Sequence, residues 1–77
     1  MRNSSTLLTL TDFLYLVSHS ASNTIYKFIF HYKDGEDEII DCTQKEMRQY
    51  IKDGIYMPDW GIEELDFNGY TVYVYVE

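Results

Sequence analysis

The chain has little of what catalysis, disulfide bonding or membrane insertion requires. Its 77 residues include one cysteine, Cys42, and one proline. A single cysteine excludes an intrachain disulfide and the paired cysteines of redox and zinc sites. No apolar run approaches the roughly 20 residues of a membrane-spanning helix. Thr9, Thr11 and Asp12 also interrupt the N-terminal segment before it reaches signal-peptide length. We therefore expect a cytoplasmic protein that does not bind a membrane.

Sequence motifs for chemistry are also missing. The chain has neither a phosphate-binding glycine loop nor the glycine-flanked serine of hydrolases. Cys42 has no catalytic spacing to His19 or His31, and the pattern is typical of a small half-buried apolar residue. The acidic segment 34–41 lacks the glycine at the sixth position and the complete ligand series of a calcium-binding loop. We predict a protein that is not an enzyme and that binds neither a cofactor nor a metal ion.

Basic residues are scarce and are absent from the last third of the chain. No lysine or arginine follows Lys52, and thirteen acidic against six basic residues give a formal net charge of -7. This charge disfavours direct binding to nucleic acid or to an anionic membrane, because both are negative. An aromatic sheet face is found in some RNA-binding modules, but base stacking here would have to overcome electrostatic repulsion. The complementary partner is a basic protein.

Most acidic residues lie in two segments that contain no basic residue. Residues 34–41 carry five acids and residues 53–77 carry six. The second segment also holds Trp60 and several tyrosines, in a chain that is 17% aromatic. Interface energy concentrates in aromatic side chains placed among charges, so this combination favours a protein-binding surface over a catalytic one. The sequence does not rank the two acidic segments.

Two helices are predicted from capping residues and apolar spacing. Thr9 or Thr11 can cap a first helix whose apolar residues from Leu10 onward recur at helical spacing, although the β-branched residues there also permit a strand. Residues 1–8 are polar, and we expect them to be frayed. A second helix over 44–53 follows a capping box formed by Thr43 and Glu46, and a glycine ends it.

Four strands are predicted in two hairpins. Residues 24–33 alternate between two faces, and Asp34-Gly35 supplies a two-residue turn into a return strand over 36–42. That return strand is so acidic that we expect it at a sheet edge or in contact with solvent. The second hairpin runs over 62–67 and 70–76 and reverses at Asn68-Gly69.

The order α-β-β-α-β-β predicts one α+β domain over residues 1–77. We expect two layers, with an antiparallel four-stranded sheet that carries both helices on one face. The other face is then open. If the helices cover the aromatic side of the first strand, the open face displays the following residues: Lys27, Ile29, His31, Tyr73 and Tyr75.

Three sequence segments carry a resemblance to known proteins. They are the run from Leu10 to Leu14, Lys45-Glu46-Met47 followed by Tyr50-Ile51, and the Tyr73-Val74-Tyr75-Val76-Glu77 end. This layout resembles small uncharacterised proteins encoded in phages and mobile elements of low-GC Gram-positive bacteria. The resemblance implies a mobile-element origin, hence the cytoplasm of the host cell, and it assigns no functional residue. In size and charge the chain is also similar to anti-CRISPR and other anti-defence inhibitors.

The functional hypothesis is an acidic inhibitor that blocks a basic, nucleic-acid-binding surface of a host protein such as a CRISPR effector. Carboxylates on a strand repeat about every 7 Å on one face, so a row of them can occupy a groove built for phosphates. Trp60 is either an interface or a core residue. The partner-binding candidates are Asp34, Glu36, Asp37, Glu38, Tyr56, Trp60, Glu63, Glu64, Asp66, Tyr73 and Tyr75.

An alternative hypothesis is a small structural or regulatory subunit that self-associates. In this interpretation the tyrosine-rich strand from Tyr73 to Val76 lies at an open edge and pairs with its own copy in a homodimer. Salt distinguishes the two hypotheses, because a complex between opposite charges weakens as ionic strength rises and edge pairing does not.

Overall fold

The computed structural model describes residues 8–20, 23–66 and 68–76 and gives an α+β fold. The predicted element order is confirmed: α1 (Leu10–Leu16), β1 (Ile25–His31), β2 (Asp37–Thr43), α2 (Gln44–Lys52), β3 (Gly61–Asp66) and β4 (Thr71–Tyr75). Of residues 1–8, which were expected to be frayed, only Leu8 is among the described residues, where its carbonyl accepts a hydrogen bond from the Ile62 N–H. In the described part, no helix is both long enough and apolar enough to cross a membrane.

Both helices begin at the predicted capping residues. At α1 the Thr9 side chain accepts a hydrogen bond from the Asp12 backbone N–H, and the Asp12 carboxylate accepts one from the Thr9 N–H. At α2 Thr43 and Glu46 form the same reciprocal pair. Each capping box satisfies two backbone donors that would otherwise lack a partner. The first segment is therefore a helix, and the strand interpretation of it is wrong.

The sheet is mixed, which corrects the expected antiparallel sheet. Its strand order is β2-β1-β4-β3. Each hairpin is antiparallel, but the central strands β1 and β4 run parallel, with Phe28 beside Val72 and Phe30 beside Val74. The cause lies in the connection. Because α2 carries the chain back along the sheet from β2 to β3, β3 starts at the same end as β2, and β4 then runs in the direction of β1.

The position of β4 also corrects the expectation of an open edge at the tyrosine-rich strand. β4 is hydrogen-bonded to β1 on one side and to β3 on the other. Its backbone groups are already used in the sheet, so it cannot accept a further strand from a second copy. The edges of the described sheet are β2 and β3.

The core lies between the two helices and one face of the sheet. Phe13 of α1 meets Tyr26 and Phe28 of β1 edge to face, with ring centroids 5.5 and 6.0 Å apart. Edge-to-face pairs of this kind add to the stabilisation from burial itself. Both helices contribute to one cluster of buried apolar side chains: Leu10, Phe13, Leu14, Tyr26, Phe28, Phe30, Cys42, Met47, Tyr56, Ile62, Val72, Val74 and Val76.

Two polar side chains of α2 satisfy the end of α1. The buried Gln44 amide donates to the Val17 carbonyl at 2.7 Å. The Arg48 guanidinium donates to the Leu14 carbonyl at 2.6 Å and to the Gln44 side-chain oxygen at 2.6 Å. Carbonyls at a helix C-terminus have no partner within the helix, so these contacts join the two helices at the place where α1 would otherwise be incompletely bonded.

Candidate functional site

The open face of the sheet is the surface that gathers most of the predicted partner-binding residues. Lys27, Ile29 and His31 of β1 face outward between the buried aromatics of the same strand. Pairing across the sheet places residues of the other strands beside each of them. Three rows result, each read from β2 to β3: Asp37-His31-Tyr75-Gly61, Ile39-Ile29-Tyr73-Glu64 and Asp41-Lys27-Thr71-Asp66.

In these rows the acidic side chains occupy the two outer strands, and the tyrosines lie between them. Ile39 is 58% exposed and Tyr75 is 42% exposed, whereas Ile29 and Tyr73 are half-buried. Neighbouring strands lie about 4.8 Å apart, so β2 and β3, which carry the carboxylates, lie roughly 14 Å apart on either side of the central strands. Five carboxylates, those of Asp37, Asp41, Glu63, Glu64 and Asp66, share this face with Lys27 and His31. We call this surface the open face.

His31 joins the two acidic segments of the sequence. Its Nδ1 lies 2.7 Å from Oδ1 of Asp37 in the first hairpin, and its Nε2 lies 3.6 Å from Oε1 of Glu63 in the second. The imidazole stacks on the Tyr73 ring, with centroids 5.9 Å apart and an interplanar angle of 5°. The carboxylates of Asp37 and Glu63 are far apart in sequence, and both lie beside the His31 imidazole. The stacking of His31 on Tyr73 orients the tyrosine ring.

His31 was not among the predicted partner-binding residues. A two-residue turn at Asp34-Gly35 predicts His31 opposite Glu38, but the loop of the first hairpin has three residues, 33–35, and places His31 opposite Asp37. The expected register of this hairpin is therefore wrong by one residue. The contact with Glu63 had no local signal either, because Glu63 belongs to the other hairpin and lies at its register shift.

Glu38 and Tyr56 lie on the covered side of the sheet instead. Glu38 is paired with Phe30, and its two oxygens accept hydrogen bonds from the hydroxyls of Tyr32 at 2.7 Å and Tyr56 at 2.8 Å. Tyr56 is 3% exposed, and its ring stacks on Phe30 at 4.3 Å. Glu38 is therefore a hydrogen-bond acceptor within the fold, and Tyr56 is a core residue that is not presented to a partner.

This arrangement keeps both tyrosine hydroxyls protonated. Burial raises the pKa of Tyr32 to about 12, with the hydrogen bond to Glu38 and its negative charge as further causes. The pKa of Tyr56 is raised for the same reasons, burial first. Both effects favour the neutral phenol, because a phenolate beside the Glu38 carboxylate would place two negative charges in contact.

Trp60 is half-buried and packs on the covered side. Its ring meets Phe30, Tyr32 and Tyr56 edge to face, with centroids 5.8, 6.4 and 6.3 Å apart. Its carbonyl accepts a hydrogen bond from the Leu10 N–H at 2.8 Å, so its backbone also joins the start of α1 to the chain before β3. These contacts favour the core interpretation of Trp60.

Asp34 and Glu36 belong to the turn of the first hairpin. Gly35 between them has a φ of 94°, which favours glycine, and the Asp34 carboxylate accepts a hydrogen bond from the Glu36 N–H at 3.1 Å. Both side chains are exposed at one end of the sheet, outside the three rows of the open face. They extend the negative charge at the end of the sheet where Asp37 lies.

Two further features bear on catalysis, namely the cysteine and the acidic side chains. Cys42 is buried, and burial raises the pKa of its thiol to about 11, with the carboxylates of Glu46 and Asp41 as further causes. The thiol is therefore protonated at neutral pH, which disfavours nucleophilic attack. Within the described residues, no group of three histidine, cysteine or acidic side chains is placed to hold a metal ion.

A cleft of about 300 Å³ lies between the helices and is lined by Thr11, Leu14, Tyr15, Arg48 and Ile51. This volume is at the lower limit of small-molecule sites. Its one charged side chain, Arg48, already donates to the Leu14 carbonyl and to Gln44. The cleft therefore offers little polar recognition to a ligand.

Comparison with known proteins adds no assignment to this geometry. No family model, curated protein or solved structure matches the chain.

Proposed function

We propose that this chain is a non-enzymatic binding protein whose open face contacts a basic surface of another protein. The observation that carries the proposal is the arrangement of charge and aromatic surface in that face. Carboxylates of β2 and β3 border a strip of isoleucine and tyrosine side chains on both sides. An apolar centre with a charged rim is the usual anatomy of a protein interface.

The charge balance of the open face favours a basic partner. Its five carboxylates face only one lysine and one histidine, and the lysine is already near Asp41 at 3.6 Å. The excess negative potential steers a basic surface toward the sheet and repels nucleic acid. A basic surface that normally binds phosphates would meet carboxylates at a comparable density on the open face. We propose that the chain competes with nucleic acid for that surface.

Tyr73 and Tyr75 are the proposed anchors of the complex. They extend from a central strand that is hydrogen-bonded on both sides, so their positions are fixed before a partner arrives. Tyrosine gives a large contact area at a low cost in side-chain entropy, and the half-buried Tyr73 is further held by its stacking on His31. Tyr56 and Glu38 have no part in this interface because both are engaged within the fold.

We propose a nucleic-acid-handling protein of the bacterial host, such as a CRISPR effector, as the partner class. This part of the proposal is supported by the resemblance to small phage and mobile-element proteins and by the charge of the open face. An inhibitor of this kind would act in the host cytoplasm. The self-association alternative has less support, because two open faces would bring like charges together and β4 has no free edge.

The test begins with affinity capture of the tagged chain from a nuclease-treated Gram-positive lysate at low and moderate salt. The expected product is a basic protein that dissociates as salt rises and that a nucleic acid oligomer displaces from the purified complex. The decisive variants are Glu64→Gln with Asp66→Asn on the open face. Asp53→Asn with Asp59→Asn is the matched control, since it changes the net charge equally in residues outside the open face.

We expect the open-face pair to weaken the complex about tenfold and the control pair to weaken it much less. Each exposed ion pair contributes up to about 1 kcal/mol, and about 1.4 kcal/mol corresponds to tenfold in affinity. Equal weakening by both pairs would show that only net charge matters and would contradict a defined interface. A partner that nucleic acid does not displace would contradict the competitive mechanism.

A further inference from the structure

The outer edge of β2 exposes backbone groups that the described sheet does not use. The Tyr32 N–H donates to the Glu36 carbonyl at 2.9 Å, which makes this pair a hydrogen-bonded one. Hydrogen-bonded and non-hydrogen-bonded pairs alternate along an antiparallel ladder, so Glu38 and Ile40 also direct their backbone groups toward β1. The residues between them direct their N–H and C=O groups outward at the edge of the sheet: Asp37, Ile39 and Asp41.

The two edges of the sheet differ in regularity. The start of the β3 edge is covered by the residues that precede α1. Thr9 forms a bridge with Gly61, and the Ile62 N–H donates to the Leu8 carbonyl at 2.7 Å. The register shift before Glu64 then interrupts the same strand. β2 keeps an unbroken register over seven residues and contains no proline. A strand can therefore be added at β2 more readily than at β3.

The charge of β2 determines which strand it can accept. Pairing two copies of β2 would bring Asp37, Glu38 and Asp41 of each copy together, and like charges on adjacent strands are destabilising. A basic strand has the opposite effect. Side chains of Asp37, Ile39 and Asp41 share the open face, so the edge presents an acid, an exposed isoleucine and an acid at alternate positions.

We propose that β2 accepts an extended basic segment of the partner as a fifth strand of the sheet. The segment carries lysine or arginine beside Asp37 and Asp41, with an apolar residue between them that packs on Ile39. Its sequence pattern is basic, any, apolar, any, basic, because residues of a strand alternate between faces. The inference rests on the proposed function in taking a basic protein as partner, and it adds the element by which that partner is held.

The test uses the isotope-labelled full chain and a synthetic peptide in which threonines alternate with lysine, valine and lysine. Binding of the peptide is followed by the chemical shifts and the hydrogen exchange of the backbone amides of the labelled chain. A second peptide has the same side chains but carries N-methyl groups on the backbone nitrogens that would face β2. A third has the same composition with the lysines and valine adjacent. The expected result is slower exchange at the amides of Asp37, Ile39 and Asp41 with the first peptide alone.

The outcomes separate this inference from the proposed function. If the N-methylated peptide binds as well as the first and shifts only open-face signals, strand addition is overturned while binding to the open face stands. If no peptide slows exchange at β2 up to millimolar concentration, strand addition is overturned as well, and the capture experiment alone then decides the proposed function.

A pair of chain variants provides a second measurement. Ile39→Pro removes an outward N–H and leaves the bonds to β1 in place, since proline is tolerated on edge strands. Ile39→Ala removes the side chain but keeps that N–H. We expect Ile39→Pro to bind the first peptide about tenfold more weakly than Ile39→Ala, because the strand loses a backbone bond. Equal affinities in two variants with unchanged circular dichroism would overturn the inference.

Discussion

On the covered face of the sheet Phe28 and Phe30 are completely buried, whereas on the open face Ile39 and Tyr75 keep 58% and 42% of their surface in solvent. Both sets come from the same sheet, and in β1 they alternate residue by residue. The polar groups differ too. Glu38 on the covered side accepts two tyrosine hydroxyls, while on the open side Asp41 makes an exposed ion pair with Lys27 and Asp37 is hydrogen-bonded to His31. Stability therefore depends on one face, and the other is available for contact with a partner.

A substitution on the covered face should lower the free energy of unfolding far more than one on the open face. Phe30→Ala removes a ring that stacks on Tyr56, and we expect it to lower the free energy of unfolding by about 3 to 5 kcal/mol. Such a loss approaches the whole stability of a small domain. Ile39→Ala is the control from the open face and should cost less than about 1 kcal/mol. Urea denaturation followed by circular dichroism measures both, and similar losses would contradict the division between the faces.

An intermediate effect concerns the covered face at alkaline pH. The pKa of Tyr32 is about 12 in the folded chain, against an ordinary value near 10 when unfolded. Its contribution to stability is therefore complete below pH 10 and is lost as the pH rises toward 12, because the unfolded state releases the proton first. We expect the free energy of unfolding of Tyr32→Phe to fall less over this range than that of the wild type.

Urea denaturation at a series of pH values from 8 to about 12 checks this expectation. The Tyr56→Phe variant provides a second measurement, since burial also raises the pKa of that hydroxyl. A Tyr32→Phe curve that falls in parallel with the wild-type curve would show that this hydroxyl does not stabilise the fold.

The Lys27 side chain on the open face contributes little to stability. Lys27→Ala breaks an ion pair with Asp41 at 3.6 Å, in which both side chains are about half exposed. Exposed pairs contribute little, so we expect the free energy of unfolding to change by at most about 1 kcal/mol. Affinity for the basic partner should rise, because the Asp41 carboxylate becomes free to bind it. Lys52→Ala on α2 makes the same charge change elsewhere, and an equal rise in that variant would contradict a local effect.

Local features of the fold were predictable from the sequence, and its global pairing was not. The capping box at Thr43, a cap at Thr9 or Thr11 and the alternation in β1 are encoded within a few residues, and the structure confirms them with Thr9 as the first cap. The parallel pairing of β1 with β4 depends on where α2 returns the chain. No local pattern encodes that path, so the antiparallel pairing of the two hairpins was expected for the whole sheet.

The candidate site was predictable to a similar extent. Alternation correctly placed Tyr73, Tyr75, Lys27 and His31 on the open face. It did not indicate that Glu38, although exposed, accepts hydrogen bonds from Tyr32 in the same hairpin and from Tyr56 after α2. The burial of Tyr56 against Phe30 was not predicted either, because these residues are far apart in sequence and meet only in the folded chain.

The central position of β4 has a consequence for how the chain folds during synthesis. β1 leaves the ribosome about forty residues before its neighbour β4. During that interval the first hairpin lacks its partner strand, and β3 also has no strand to pair with until β4 is made. Most pairing in the middle of the sheet is therefore distant in sequence, which slows folding compared with a chain of consecutive hairpins. Until β4 emerges, the aromatic-rich strand β1 has one unpaired edge. The acidic residues of the first hairpin lie close to that edge, and their charge opposes aggregation.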